Sequence, residues 1–334
     1  MHVTVDEYGT FLGKKSERLV IRVGKEVTEH ALRKVSEITV VGSGISLSTD
    51  LVYECTERGI QLNFLSFDGK PYAKMTSPAL SATVITRREQ LLAYTDSRGV
   101  CIARACVEGK IRNQANLVKY YARSRKRKTP EAGRVLEELA GSIEHALVEL
   151  QSVSGSTVDD IRLSLMNIEA RASKSYWAAF GLIIPDGLGF RTREHQGAPD
   201  LVNSLLNYGY GVLYSQVWGA VLLAGLEPFA GFLHVDRPGK PSLILDLIEE
   251  FRQPVVDRVV LAWLSKATLT YDPDEGLSKE IRRELADRVL RRLDETDTFK
   301  GKKHSIRAIM QFQARNLASF VRGEGTYKPY VAGW

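Results

Sequence analysis

Three cysteines in 334 residues are too few, and too odd in number, for a disulfide framework. Cys55, Cys101 and Cys106 suit a chain that works in the reducing cytoplasm, and without a CxxC pair among them a zinc ribbon is excluded. Long apolar runs are also lacking. The longest uncharged apolar stretch, residues 217–226, is half of the ~20 residues needed to cross a bilayer. The opening residues Met-His-Val-Thr-Val-Asp-Glu-Tyr place acids where a secretory leader needs an apolar segment. No membrane partner or secreted role is therefore expected. Internal repeats and low-complexity tracts are missing too, which argues against a solenoid or a disordered chain.

What is present is a globular composition, 44% hydrophobic and 26% charged, in a chain long enough for about two domains. The net charge of +6 decides little until it is divided. Residues 87–128 hold twelve basic and three acidic side chains, or +9, so the rest of the chain sums to −3. Within that stretch Lys119, Arg123, Arg125, Lys126, Arg127 and Lys128 form a cluster free of acids, with Tyr120 and Tyr121 inside it. Such a cluster is expected to hold phosphates without reading sequence. The plainer reading is a solvated helix end, where cations also suit the macrodipole.

Short β-favouring runs at residues 3–5, 18–23, 38–41 and 60–67, with 70–75 as a last strand, make the first 80 residues strand-rich. A helix starting at Ser48, Thr49 or Asp50 and ending at Gly59 sits among them. Helical periodicity then runs from residue 80 to about 323. Helices are expected at about 80–94, 97–123, 131–152, 158–181, 198–224, 242–267, 278–294 and 304–322. Strands first and helices after predict an α+β protein, with a small β-rich N-terminal domain (1–80) and a larger all-α domain (81–334). The segment Gly42-Ser43-Gly44 imitates a dinucleotide-binding turn, but Leu47 stands where the third glycine belongs, so an ordinary strand–turn–helix connection is expected.

Two helical segments carry unusual chemistry. On the helix through Asn167–Trp177, Glu169 shares a face with Ala172, Ser173 and Tyr176, small neighbours that admit another element close to the carboxylate. Further on, His234 lies in an apolar-flanked turn before a strongly hydrophobic helix that carries Asp246, Glu249 and Glu250. Carboxylates among leucines and isoleucines need a cation, and a divalent metal held by mixed carboxylate and imidazole ligands would suit. Spacing does not separate Glu249 from Glu250. Between these segments Asn203, Asn207, Tyr210 and Tyr214 make one polar-aromatic stripe, either a buried seam or the lining of a site.

Taken in order, four features resemble the CRISPR-associated protein one family, the integrases that insert spacers into a CRISPR array. They are Ile168-Glu169-Ala170 with Tyr176-Trp177; Asp200-x-x-Asn203-x-x-Leu206-Asn207-Tyr208-Gly209-Tyr210; Gly231-x-x-His234; and Leu245-Asp246-Leu247-x-Glu249-x-Phe251-Arg252. The resemblance covers nearly the whole chain. It implies a divalent-metal-dependent DNA endonuclease and integrase, with Glu169, His234 and Glu249 as metal ligands, Asp246 as a supporting acid, and Mn2+ or Mg2+ as cofactor. Arg252 and Lys240 become candidates for DNA contact beside the site. Implied partners are prespacer and repeat DNA, a second copy joined through the β-rich domain, and the CRISPR-associated protein two. The C-terminal stretch 323–334 is expected to be a flexible tail. The rival expectation is a nucleic-acid-binding protein without catalysis, in which the three ligands form a structural polar cluster.

Overall fold

The computed structural model describes residues 1–75, 84–127, 129–194 and 200–333. Two compact units form, Met1–Ser81 and Ala82–Trp334. The expected domain boundary at residues 80–81 lies outside the described residues.

The first unit contains two four-stranded sheets. One runs β1 (His2–Val5), β5 (Glu37–Val41), β7 (Gln61–Leu65), β8 (Pro71–Met75), with the first three parallel and β8 antiparallel at the edge. The other runs β4 (Glu26–Ala31), β3 (Arg18–Val23), β2 (Phe11–Lys15), β6 (Ser46–Leu47). Val3, Val5, Leu12, Leu19, Ile38, Val40 and Leu62 interlock with Leu51 and Cys55 of helix α1 (Thr49–Glu57), capped by the Ser48 side chain. Strands β2, β4 and β6 were not expected from sequence, because lysines in β2 and glutamates in β4 break the β-favouring pattern and β6 has only two residues. The Gly42–Gly44 turn takes positive φ at both glycines. A Cβ at Gly42 would strike the Phe67 ring and one at Gly44 the Tyr8 ring, so aromatic packing fills the space where a dinucleotide phosphate would sit.

The second unit is helical. Helices α2 (Val84–Ala93), α3 (Ser97–Lys126), α4 (Pro130–Ser152), α5 (Val158–Ile183) and α6 (Leu201–Leu223) come first. Next are α7 (Ser242–Ile248), α8 (Arg258–Leu264), α9 (Lys279–Asp294) and α10 (Ile306–Val321), with a hairpin of β9 (Thr296–Phe299) and β10 (Lys302–Ser305) before α10. The long α3 packs along α4 and α5. A Thr157–Asp160 capping box starts α5, and Asp200 caps α6. Helix α6 is apolar nearly all round, which marks it as the buried core helix.

The single helix expected at 242–267 is broken. Helix α7 stops at Ile248, residues 249–251 turn, and Arg252–Asp257 form one wide π-type turn before α8. Pro254 explains this: it donates no amide hydrogen, and its ring would collide with the carbonyl four residues earlier. That carbonyl, on Glu250, instead accepts from Asn113 Nδ2 at 2.9 Å. The C-terminal stretch departs from a flexible tail over residues 327–332, which are anchored, while 323–326 are exposed. Tyr327, Tyr330 and Ala332 are buried. Asn113 binds the Tyr330 carbonyl and the Ala332 amide, both at 2.9 Å. Trp334 lies outside the described residues.

Candidate metal centre

Glu169 sits on α5 and Lys110 on the facing α3, where the Lys110 ammonium contacts a Glu169 carboxylate oxygen. The same Nζ lies 2.8 Å from Oε2 of Glu249, which projects from the turn after α7. Two carboxylates from distant parts of the chain thus converge on one cationic nitrogen. Sequence reasoning passed over Lys110 because it was one more lysine in a basic stretch; Gly109 before it and its neighbours carry no signal of a site.

Glu249 is 3% exposed. Burial opposes its ionisation, but Arg252 and Lys110 outweigh burial and hold the carboxyl down at about 2. Arg252 donates from Nε to Oε1 at 2.9 Å and lays its guanidinium 4.5 Å from the centre of the Tyr210 ring. Oε2 is buried with no hydrogen-bond partner, because Lys110 is near but out of line. Glu250, its neighbour in sequence, turns away: it accepts from Tyr327 Oη, from Gln313 Nε2 at 2.6 Å and from the Tyr330 amide at 2.7 Å. Burial pushes the Glu250 carboxyl up to about 7 despite those three donors.

Asp246 is wholly buried and orders the loop that carries His234. Its carboxylate accepts the backbone amides of Phe232, Leu233 and His234 and, at 2.7 Å, the His234 ring at Nδ1. Four bonds use the lone pairs of both oxygens, so Asp246 holds the His234 loop and has no lone pair left for a further bond. Bonding at Nδ1 leaves Nε2 of His234 with its lone pair, the arrangement that metal-binding histidines share. Gly231 admits this loop: a Cβ there would meet the Ser242 backbone at 2.6 Å.

Among the described residues no three His, Cys, Asp or Glu side chains meet as a ready ligand cluster. The donors nonetheless suit a divalent cation. Two carboxylates and an orientable imidazole are available, one carboxylate oxygen lacks a bond, and an ammonium stands where positive charge is needed.

The remaining predicted residues divide between wall and surface. Tyr176 and Tyr210 are buried and both donate to Asp257 of the π turn, whose carboxyl burial pushes up to about 6. Asn203 is fully buried and, with Asn207, accepts from Arg193 at 3.0 and 2.6 Å. Tyr176 and Asn203 therefore belong to an inner polar seam and offer DNA no surface. Asp257 was missed in sequence because Pro254 hid the turn that aims it. Lys240 lies half-buried in the loop after His234, bonded through its amide to the Arg237 carbonyl. In the basic cluster Lys119 pairs with Glu144 at 2.6 Å, Lys126 with Glu137 at 3.0 Å, and Arg125 donates to the Ile183 carbonyl at the end of α5. Arg123 and Arg127 are exposed, and Lys128 lies outside the described residues. Tyr120 and Tyr121 pack edge to face, with Arg258 over the Tyr120 ring.

Residues 3–295 match the family model of CRISPR associated protein Cas1. The chain belongs to the Cas1 family. A relative from Archaeoglobus fulgidus, named CRISPR-associated endonuclease Cas1 1, is 36% identical over the whole of both chains. Two solved structures share the Cas1 fold at 20% identity. One is a casposase bound to its integration product (TM-score 0.82; 98% of this chain, 92% of that one). The other is a Cas1 protein of Thermotoga maritima (TM-score 0.76; 99% of this chain and all of that one). The β-rich region followed by a helical domain is the Cas1 architecture, and no described helix is long and apolar enough to cross a membrane.

Proposed function

We propose that this Cas1-family chain is a divalent-metal-dependent DNA endonuclease and integrase, inserting spacer DNA into a CRISPR array in the cytoplasm by transesterification. The observation that carries this reading is the convergence of Glu169 and Glu249 on one cation, with the His234 loop ordered by Asp246. Glu169, Glu249 and Nε2 of His234 would hold Mn2+ or Mg2+. A bound divalent ion would supply charge neutralisation at the phosphodiester and acidify the attacking 3′-hydroxyl.

The chain's own residues position these groups. Asp246 fixes the His234 tautomer, and Arg252 keeps Glu249 ionised and aimed inward. Phosphoryl transfer depends mainly on such positioning and on charge stabilisation, so few other groups are required. Partners in this reading are prespacer and repeat DNA, a second copy joined through the β-rich unit, and the CRISPR-associated protein two.

The rival, a DNA-binding protein with a structural polar cluster, draws its support from Lys110, which already balances the two carboxylates. Disintegration of a branched DNA separates the two readings. Strand cutting and rejoining should occur with Mn2+ and stop with a chelator; equal rates in both would favour a reaction that needs no metal, and no reaction in either would favour the rival.

The surface cluster makes a second prediction. Replacing Arg123 and Arg127 together by alanine should weaken DNA binding evenly across sequences and reduce the log–log salt slope by about 1–2. The pair Lys119→Ala and Lys126→Ala, already engaged by Glu144 and Glu137, should change that slope less. Loss of affinity for one sequence alone would mean that the cluster reads bases.

A further inference from the structure

We infer that Lys110 is an internal counter-cation that holds Glu169 and Glu249 together in the metal-free protein and leaves when a divalent metal enters. The inference rests on the reading of Glu169, His234 and Glu249 as ligands and concerns a residue outside that set.

Two carboxylates brought together in a low-dielectric interior repel unless a cation lies between them. Lys110 meets that need: its Nζ touches both, and its side chain is only 15% exposed.

The two cations on Glu249 differ in kind. Arg252 makes an aligned bond to Oε1, whereas Lys110 approaches Oε2 without completing one. Arg252 is thus built to stay and hold Glu249 in position, while Lys110 can be exchanged. Lysine suits the exchanged role because it carries a compact charge on a flexible four-carbon stem; an arginine fork would lock the pair. With Arg252 counted, the two carboxylates and Lys110 sum to zero; a divalent ion entering beside Lys110 would carry the group to +2, and departure of the ammonium brings it back to +1. The partial exposure of Lys110 leaves the ammonium a solvent edge toward which to move.

The test uses the full chain in metal-free buffer. Mn2+ is titrated calorimetrically into wild type and Lys110→Met, and Tm is measured with EDTA and with Mn2+. Lys110→Met should bind Mn2+ about ten-fold tighter, because no ion pair has to be broken first. Its Tm in EDTA should fall below wild type, and its rise on Mn2+ should be larger. A second measurement needs no variant. Reductive methylation of Lys110 in the wild-type protein, followed by mass spectrometry, should be slow in EDTA and several-fold faster with Mn2+. If wild type binds Mn2+ while Lys110→Met binds it no tighter and methylation ignores the metal, Lys110 is a fixed structural lysine and the inference falls, with the metal centre intact. If neither protein binds Mn2+, the metal centre itself falls.

Discussion

Glu249→Ala is expected to reduce Mn2+-dependent DNA strand transfer by roughly 10²–10³-fold or more, the scale set by loss of a preorganised charge-stabilising group, while the protein stays folded. Glu250→Ala, one residue further on, is expected to do the reverse. Glu249 makes one aligned bond, to Arg252; after its removal Lys110 keeps Glu169 and the Arg252 guanidinium keeps the Tyr210 ring, so the stability cost is the loss of one ion pair. Glu250 gathers Tyr327, Gln313 and the Tyr330 amide, so truncating it to alanine would strand three buried donors at about 1–3 kcal/mol each. Activity and urea denaturation measured on both variants check the contrast. Comparable loss of activity without loss of stability in Glu250→Ala would mean that the two residues share the site.

Tyr330→Ala is expected to destabilise the helical unit by about 3–5 kcal/mol, the range for removing a buried aromatic ring. Tyr330 is 1% exposed, stacks on Phe251 with centroids 5.3 Å apart, and donates to Asp297 at 2.6 Å. Its neighbour Pro329 packs against Gly109, where a Cβ would meet it at 2.8 Å. The C-terminal segment therefore clamps α3 beside Lys110 to the turn that carries Glu249. The urea midpoint should drop accordingly, and Mn2+ affinity should fall with it. A variant as stable as wild type would mean that the segment is an appendage after all.

How much of this was legible beforehand depended on the kind of signal. The change from strands to helices was readable because periodicities of two and 3.6 differ over long windows. Strands β2, β4 and β6 were not, since Lys14 and Lys15 in β2 and Glu26 and Glu29 in the edge strand β4 erase the apolar alternation, and β6 is only two residues long. The acids and the histidine around the site stood out because charge amid leucine and isoleucine is unusual. Lys110 and Asp257 did not, because their roles come from partners 59 and 81 residues away in sequence. The tail misled for a related reason. Its Gly, Pro and Lys content reads as loose, and nothing local reveals that Asn113 and Glu250 wait to bind its backbone. The basic cluster was overcounted, since the acids that neutralise Lys119 and Lys126 lie on the next helix.

The most direct measurement is anomalous diffraction at the manganese edge from crystals of the wild-type protein grown with Mn2+. One ion is expected within about 2.0–2.6 Å of Glu169, Glu249 and Nε2 of His234, with the Lys110 ammonium displaced. Manganese bound elsewhere, with Lys110 still joining the two carboxylates in a protein that cuts and rejoins DNA, would contradict the proposed centre.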